Sequence, residues 1–367
     1  MKQMEFSLSR WMEGSGPEID IVVSSRARVA RNIKGHAFPC LASNEETAAV
    51  LEDIKVAINC GDDFSGYSYR QMEKLSFLEK QTLVEKHLIS PFLARESKHG
   101  ALLLRQDEAV SIMINEEDHL RIQAILPGLQ LEETWREACQ CDDQLDAKLN
   151  YAFDERIGYL TACPTNIGTG LRASVMLHLP ALIITRQINR FLGALSQVGL
   201  TVRGLYGEGT EIVGNLVQIS NQVTLGQTED EIISNLFSVI RQVIEQEQNA
   251  RQALLDKKRA SLADRAWRAF GLLQYAQVMS SQEAIQLISD LRFGFDLGLI
   301  KAVNHKLLNE LLIIIRPGCL QLLAGRELSD SERSLERPIR IKETITRYRD
   351  GEQAGRAWEQ ELPPTDK

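Results

Sequence analysis

The 367-residue chain has no run of about 18 apolar residues, so no stretch of it reads as a transmembrane helix. Residues Met1 to Met12 are too polar for a signal peptide, and the cytoplasm is the expected compartment. The cysteines Cys40, Cys60, Cys139, Cys141, Cys163 and Cys319 show no CxxC spacing, which argues against a zinc ribbon or a disulfide framework and leaves reduced thiols. Cys139 and Cys141 beside Asp142 and Asp143 read as a surface turn, and no protein metal site is expected. A GxxxxGK(S/T) segment is missing, which removes a P-loop. A net charge of −8 disfavours nonspecific contact with nucleic acid and would favour a basic, arginine-bearing partner.

What is present is an ordinary globular composition, 44% hydrophobic and 25% charged, enough for one large domain or two. Asp20 to Ser25 reads as a buried strand that delivers Arg26, Arg28 and Arg31, with Arg26 and Arg28 on one face if the strand continues. Glu45 to Cys60 and Gln71 to His87 have helical spacing. Gly100 to Leu104 and Ala109 to Asn115 form a hairpin that ends in Glu116, Glu117 and Asp118. Leu120 to Leu131 and Thr134 to Phe153 read as helical, and Ala181 to Val198 as an amphipathic helix. Strands are expected at Leu200 to Arg203 and Leu216 to Ser220, around a glycine-rich loop with Gly204, Gly207, Gly209 and Gly214. Thr228 to Glu231 is a capping box for a helix ending near Lys258, and an all-helical region follows with further boxes at Ser280 and Ser329.

One stretch organises the rest. Cys163 to Ser174 (CPTNIGTGLRAS) follows a strand-like segment, Arg156 to Ala162, and is itself followed by helix-compatible residues from Leu171. Gly168 and Gly170 would leave backbone N–H groups open to an anion at a helix start. Gly168 to Ala173 also matches a dinucleotide fingerprint, but no acid occurs between Arg186 and Val198 to hold a ribose, so that reading fails.

The stretch resembles the signature of the phosphagen, or guanido, kinases. Four further segments match in the family's order: Ser24 to Arg31 (SSRARVAR), Asn115 to Ile122 (NEEDHLRI), Arg203 to Thr210 (RGLYGEGT) and Gln218 to Asn221 (QISN). The resemblance implies ATP with Mg²⁺, an acceptor guanidinium clamped by Glu117 and Glu208, and Glu117 as principal base. It implies phosphate binding by Arg26, Arg28, Arg121, Arg172 and Arg203, His87 near the adenine, and Cys163 as a residue facing the guanidinium. A carboxylate suits this chemistry, since its two oxygens match the planar fork and its charge pairs the cation. Arginines must neutralise the triphosphate where no P-loop lysine exists. Taken from its residue type alone, a loop cysteine near arginines could instead be a covalent nucleophile.

Only 23 residues precede Ser24, whereas small-molecule members carry a helical domain there; a helical region follows residue 250 instead. That arrangement resembles the bacterial protein-arginine kinases, which phosphorylate arginine side chains in proteins. A kinase for free arginine and a non-catalytic adaptor that binds phosphoarginine or nucleotide are the alternatives. Tyr206 and Gly209 replace an arginine and a histidine common in small-molecule members. Arg333 and Arg337, in RSLERP where the family has an RDxxRA-like pocket, are candidates for a phosphoarginine site. The resemblance further implies a zinc-finger activator, a heat-shock repressor as substrate, a Clp-type AAA+ protease downstream and a role in stress response. The apolar run Leu311 to Ile315 suggests a homodimer surface. The expected fold is α+β, a mostly antiparallel sheet flanked by helices. Its parts are a lead-in at 1–23, a catalytic domain at 24–254, a helical domain at 255–350 and a flexible tail at 351–367.

Overall fold

The computed structural model describes residues 7–188, 193, 195, 199–204 and 212–353. Its centre is an eight-stranded antiparallel sheet in the order β2-β3-β4-β5-β1-β8-β10-β9. The strands are β1 (Val22–Arg31), β2 (Tyr67–Gln71), β3 (Ala101–Arg105), β4 (Val110–Ile114), β5 (Leu120–Pro127), β8 (Leu171–His178), β9 (Leu200–Gly204) and β10 (Leu216–Asn221). A two-stranded hairpin, β6 (Phe153–Asp154) and β7 (Gly158–Tyr159), stands apart. The α+β expectation holds.

Two expected helices are strands. Leu120 to Pro127 is β5, and the chain after Gly170 is β8 rather than a helix start. Both sit at the middle of the sheet beside β1, where every residue meets a neighbour on one face or the other. Leu, Ala and Met at such positions look helix-compatible only while the partner strands are out of view. The expected strand at Arg156 to Ala162 shrinks to Gly158–Tyr159. The helix expected from Gln71 begins at Phe77, where Ser76 and Glu79 form a reciprocal capping box. The helix expected over Ala181 to Val198 is broken: Pro180–Ile184 is helical, Arg186 follows with φ 57°, and the described residues Ile188, Gly193 and Leu195 are helical again.

Alternation along the strands sorts the sheet into two faces. Ala27, Val29, Ile122, Ala124, Ala173, Val175, Val217 and Ile219 enter the main core. There they meet α1 (Asn44–Asn59), α4 (Leu131–Asp146) and the first half of α6 (Glu229–Tyr275). The capping box at Thr228 is present, and the helix it opens runs out near Lys258 as expected: that residue leaves helical geometry (φ −140°, ψ 27°), and after this kink a second helical stretch carries α6 to Tyr275.

The other face is divided. On one side Leu102, Leu104 and Met113 are covered by α2 (Phe77–Glu85) and α3 (Pro91–Arg95). On the other, Ile125 and Leu216 join Trp11 and Met12 in a second core built by the end of α6, α7 (Ser281–Asp296), α8 (His305–Ile314), α9 (Pro317–Ala324) and α10 (Asp330–Gln353). Leu311 to Ile315 lie inside this core, so the run expected at a dimer surface is internal. Between the two covers a strip of sheet is left, and it carries the arginines.

Candidate active site

Register fixes which side chains share that strip. Arg28 lies opposite Arg172 on β8 and Gln123 on β5, and Arg26 lies opposite Ser174 and Ile125. Arg121 is two residues from Gln123 on β5, and Arg203 pairs with Gln218 on β9 and β10. Residues directly opposite in an antiparallel pair project to the same face. Arg26, Arg28, Arg121, Arg172 and Arg203, drawn from four strands, therefore share one surface.

Little in the described protein neutralises them. Arg121 Nη1 donates to Glu116 Oε1 at 2.7 Å. Arg26 Nε and Arg172 Nη2 reach only the hydroxyls of Ser174 and Ser220, at 3.4 and 3.3 Å. The Nε atoms of Arg28 and Arg172 are buried without a hydrogen-bond partner among the described residues. Withdrawal from solvent, then repulsion from Arg121 and Arg172, pushes Arg26 down to about 9. Arg28 is displaced well below its usual value, by burial first and then by Arg26, Arg121 and Arg172. Guanidinium groups keep their proton in proteins, so the relief available to this cluster is an anion.

Beside the cations the β4–β5 turn presents its acids unequally. Glu116 is buried and accepts from Ser90 Oγ at 2.5 Å and from Arg121. Burial alone would raise Glu116, but Arg121, Ser90 and the Glu117 amide outweigh it and hold the carboxyl below its ordinary value. Asp118 Oδ1 accepts from Asn32 Nδ2 and from the Ala162 amide, both at 2.6 Å. Asn115, at φ 53°, donates from Nδ2 to Thr47 O at 2.8 Å, and the His119 amide donates to Asn32 Oδ1 at 2.9 Å. Between these anchored neighbours Glu117 alone is exposed.

The Asp118–Ala162 bond ties the acidic turn to the loop bearing Cys163. That loop is closed at its stem by paired backbone bonds between Tyr159 and Gly168, 2.8 and 3.3 Å. Cys163 is partly exposed, and its Sγ lies 3.0 Å from Thr165 Oγ1. The two glycines serve packing in this loop. A Cβ on Gly168 would fall 2.3 Å from Thr224 O, and one on Gly170 2.7 Å from Ala30 O. Both have positive φ, and the Gly168 amide donates to Tyr159 rather than facing open space. The expected helix start is absent because β8 follows.

His87 adopts φ 62° after α2, and its ring lies 5.9 Å from Trp11. With Arg26, Ser24, Ser174, Met176 and Gln218 these two rings line a small cavity at the edge of the arginine strip. Glu208 and Gly207 lie outside the described residues, as do Tyr206 and Gly209. Arg333 and Arg337 are engaged by the protein itself. Arg337 donates to Ile315 O at 3.0 Å and Met279 O at 2.6 Å, while Arg333 donates to Leu328 O at 2.7 Å and pairs with Asp330. Asn32, Ser174 and Ser220 were not singled out from sequence, and Glu116 and Asp118 were read only as part of the acidic run with Glu117. Ser174 and Ser220 were findable, because each falls at an even spacing that shares the arginine face.

Asp118 gives a pH-dependent prediction. Burial, with Glu117 and Glu116 adding to it, raises its pKa to about 6 despite the Ala162 and Asn32 bonds. A carboxyl whose folded value lies above the unfolded value of about 4 binds more protons when folded, so stability falls as pH rises through that window. Both bonds end on Oδ1, which Asn can supply. Asp118→Asn should therefore match or exceed the wild-type melting temperature at pH 7 and flatten its dependence between about pH 4 and 6. A variant less stable at pH 7 than at pH 5 would refute this.

A basic sheet face beside a presented carboxylate is the equipment of a phosphotransferase. Consistent with that class, the model of the ATP:guanido phosphotransferase C-terminal catalytic domain matches residues 49–250. The protein-arginine kinase McsB C-terminal domain matches residues 259–356. The protein-arginine kinase of Brevibacillus brevis is 52% identical over 344 residues, covering 93% of this chain and 96% of that one. That of Pelotomaculum thermopropionicum is 52% identical over 332 residues, covering 90% and 93%. Among solved structures, a lombricine kinase superposes with a TM-score of 0.57 at 26% identity, over 66% of this chain and 70% of that one. The chain belongs to the ATP:guanido phosphotransferase family, within its protein-arginine kinases.

Proposed function

We infer that this protein transfers the γ-phosphoryl of ATP to the guanidinium of arginine side chains in proteins. The observation that carries the chemistry is the cationic strip, with buried Nε atoms on Arg28 and Arg172 unpartnered among the described residues, next to the exposed Glu117. ATP supplies the transferable group; Mg²⁺ would bridge its phosphates and retain waters, which needs no dedicated protein cluster. Such a cluster is absent among the described residues.

Arg26, Arg28, Arg121, Arg172 and Arg203 would hold the phosphates, while Glu117 takes a proton from the acceptor nitrogen. That nitrogen forms a bond to the γ-phosphorus as the bond to the ADP oxygen breaks, and ADP leaves with the electron pair. Glu208 is proposed as the second carboxylate on the acceptor. Cys163 would face the guanidinium. Cys163→Ser should lower kcat by about tenfold, the scale of one charge-assisted contact, without abolishing transfer. Complete loss, with a phosphorylated cysteine trapped on the wild type, would overturn that role.

The choice of a protein acceptor over free arginine rests on the similarity to protein-arginine kinases along nine-tenths of the chain. Incubation with Mg-ATP and either a protein or free arginine, with acid-labile phosphate read by mass spectrometry, tests it. Phosphorylation of free arginine alone would favour the small-molecule reading. Action in the cytoplasm, a zinc-finger activator, a heat-shock repressor substrate and delivery to a Clp-type protease belong to the same proposal. So does self-association, for which the exposed Tyr275, Val278, Leu335 and Ile339 are better placed than the internal Leu311 to Ile315. A phosphoarginine held by Arg333 and Arg337 would have to compete with Asp330 and the carbonyls those groups already bind.

A further inference from the structure

The end of α2 is gripped from the opposite end of the chain. Glu85, its last residue, accepts from the Gly318 amide on Oε1 and the Cys319 amide on Oε2, both at 2.7 Å. These amides are in the first turn of α9, where N–H groups have no partner within the helix and a carboxylate suits the dipole. The fit is close: a Cβ on residue 318 would lie 2.8 Å from Gln81 Cγ and 3.0 Å from Glu85 Oε2. Burial raises the Glu85 pKa, while the two amides and Arg316 oppose the rise.

The next two residues are fixed in turn. Lys86 O accepts from Trp11 Nε1 at 3.3 Å, and Lys86 pairs with Glu108. His87 O accepts from Gln123 Nε2 at 2.8 Å. His87 holds a left-handed backbone that a residue with a Cβ seldom adopts, so its surroundings impose it. Its ring shares a cavity with Arg26. Burial first, then Arg26 and Arg316, pushes its pKa down to about 3, keeping the ring neutral beside the cations.

We propose that Glu85 is a positioning residue for the nucleotide: by gripping the first turn of α9 it sets the Lys86–His87 turn, so that affinity for ATP depends on docking of the C-terminal helices. The proposal rests on the kinase reading of the sheet face. Glu85 itself touches neither substrate in it. The dependence follows because Glu85, which also accepts from Gln81 Nε2 at 3.3 Å, joins the start of the turn to α9, while the later carbonyls are held by elements of the site.

The test uses the full chain and breaks the contact from each side. Glu85→Gln keeps the shape but turns one acceptor into a donor facing an N–H. Gly318→Ala pushes the same carboxylate away from α9. Each should raise the Kd for ATP, measured by calorimetry without acceptor, and the KM for ATP by about five- to tenfold, the scale of one hydrogen bond to a charged group. Turnover at saturating ATP and the KM for protein acceptor should stay within about twofold, and the double variant should be no worse than the weaker single, as expected for one shared contact. Glu85→Ala serves as a second variant should Gly318→Ala not fold. Unchanged ATP affinity, additive losses, or an equal decline toward both substrates with a lower melting temperature would each overturn the proposal. A wild type that binds ATP but phosphorylates no arginine would sink the kinase reading alone, since the affinity comparison needs no turnover.

Discussion

Glu117→Gln should lower kcat by about a thousandfold, within the range that a positioned general base contributes. Its fold should be untouched. Glu117 is exposed at the tip of a turn whose shape is held by Glu116, Asp118 and Asn115, none of which depends on it for a side-chain bond. Exposed substitutions away from such networks change stability by about 0.5 kcal/mol or less. ATP affinity should also hold, because no phosphate-facing arginine loses a partner. Calorimetric Kd for ATP, melting temperature and single-turnover phosphorylation of a protein acceptor separate these effects. A variant that retains more than about a tenth of wild-type kcat would remove Glu117 from the role of base.

The second large effect has opposite signs in two measurements. Arg28 is drawn into the cleft with its Nε unpartnered among the described residues, and it is repelled by Arg26, Arg121 and Arg172. Glu116 gives the only opposing pull assigned to it among the described groups. In the nucleotide-free protein this charge is a liability. Arg28→Met should therefore raise stability without nucleotide by about 1 kcal/mol, as apolar replacement of poorly compensated buried charge does elsewhere. The same change should cut kcat by about 100- to 1,000-fold, the loss seen when a preorganised donor to transition-state charge is removed. Saturating ATP should reverse the ranking, since a ligand at about 100 times its Kd adds roughly 2.7 kcal/mol to the form that binds it. Thermal unfolding with and without Mg-ATP reads both signs. A destabilised apo variant would mean that Arg28 has compensation in the folded protein, and the strained-cation account would fail.

Much of this arrangement was legible before any coordinates. The run VVSS before Arg26 gave a strand with its arginines at even spacing, and the boxes read at Thr228 and Ser329 each open a helix. β5 and β8 were misread because one face of each faces the core and the other the active-site strip. Leu171, Ala173, Val175 and Leu177 alternate cleanly with Arg172, Ser174, Met176 and His178. Helix-forming residue types masked that period-2 signal. The roles of Gly168 and Gly170 were hidden for a different reason. What crowds them is Thr224 and Ala30, distant in sequence, and no local pattern reports such neighbours. Glu116 and Glu117 differ in burial for the same reason: Ser90 and Arg121 choose between adjacent acids, and spacing does not.

Helix α6 adds a consequence for how the molecule can be taken apart. The matched segments 49–250 and 259–356 meet within its 47 residues, and Leu254 and Leu262 on either side of the junction are both buried. The seam between modules is thus a pair of helices meeting at a kink at Lys258 rather than a tether. Cutting there would bare a greasy stripe on each fragment, so the two pieces are best expressed as a single unit.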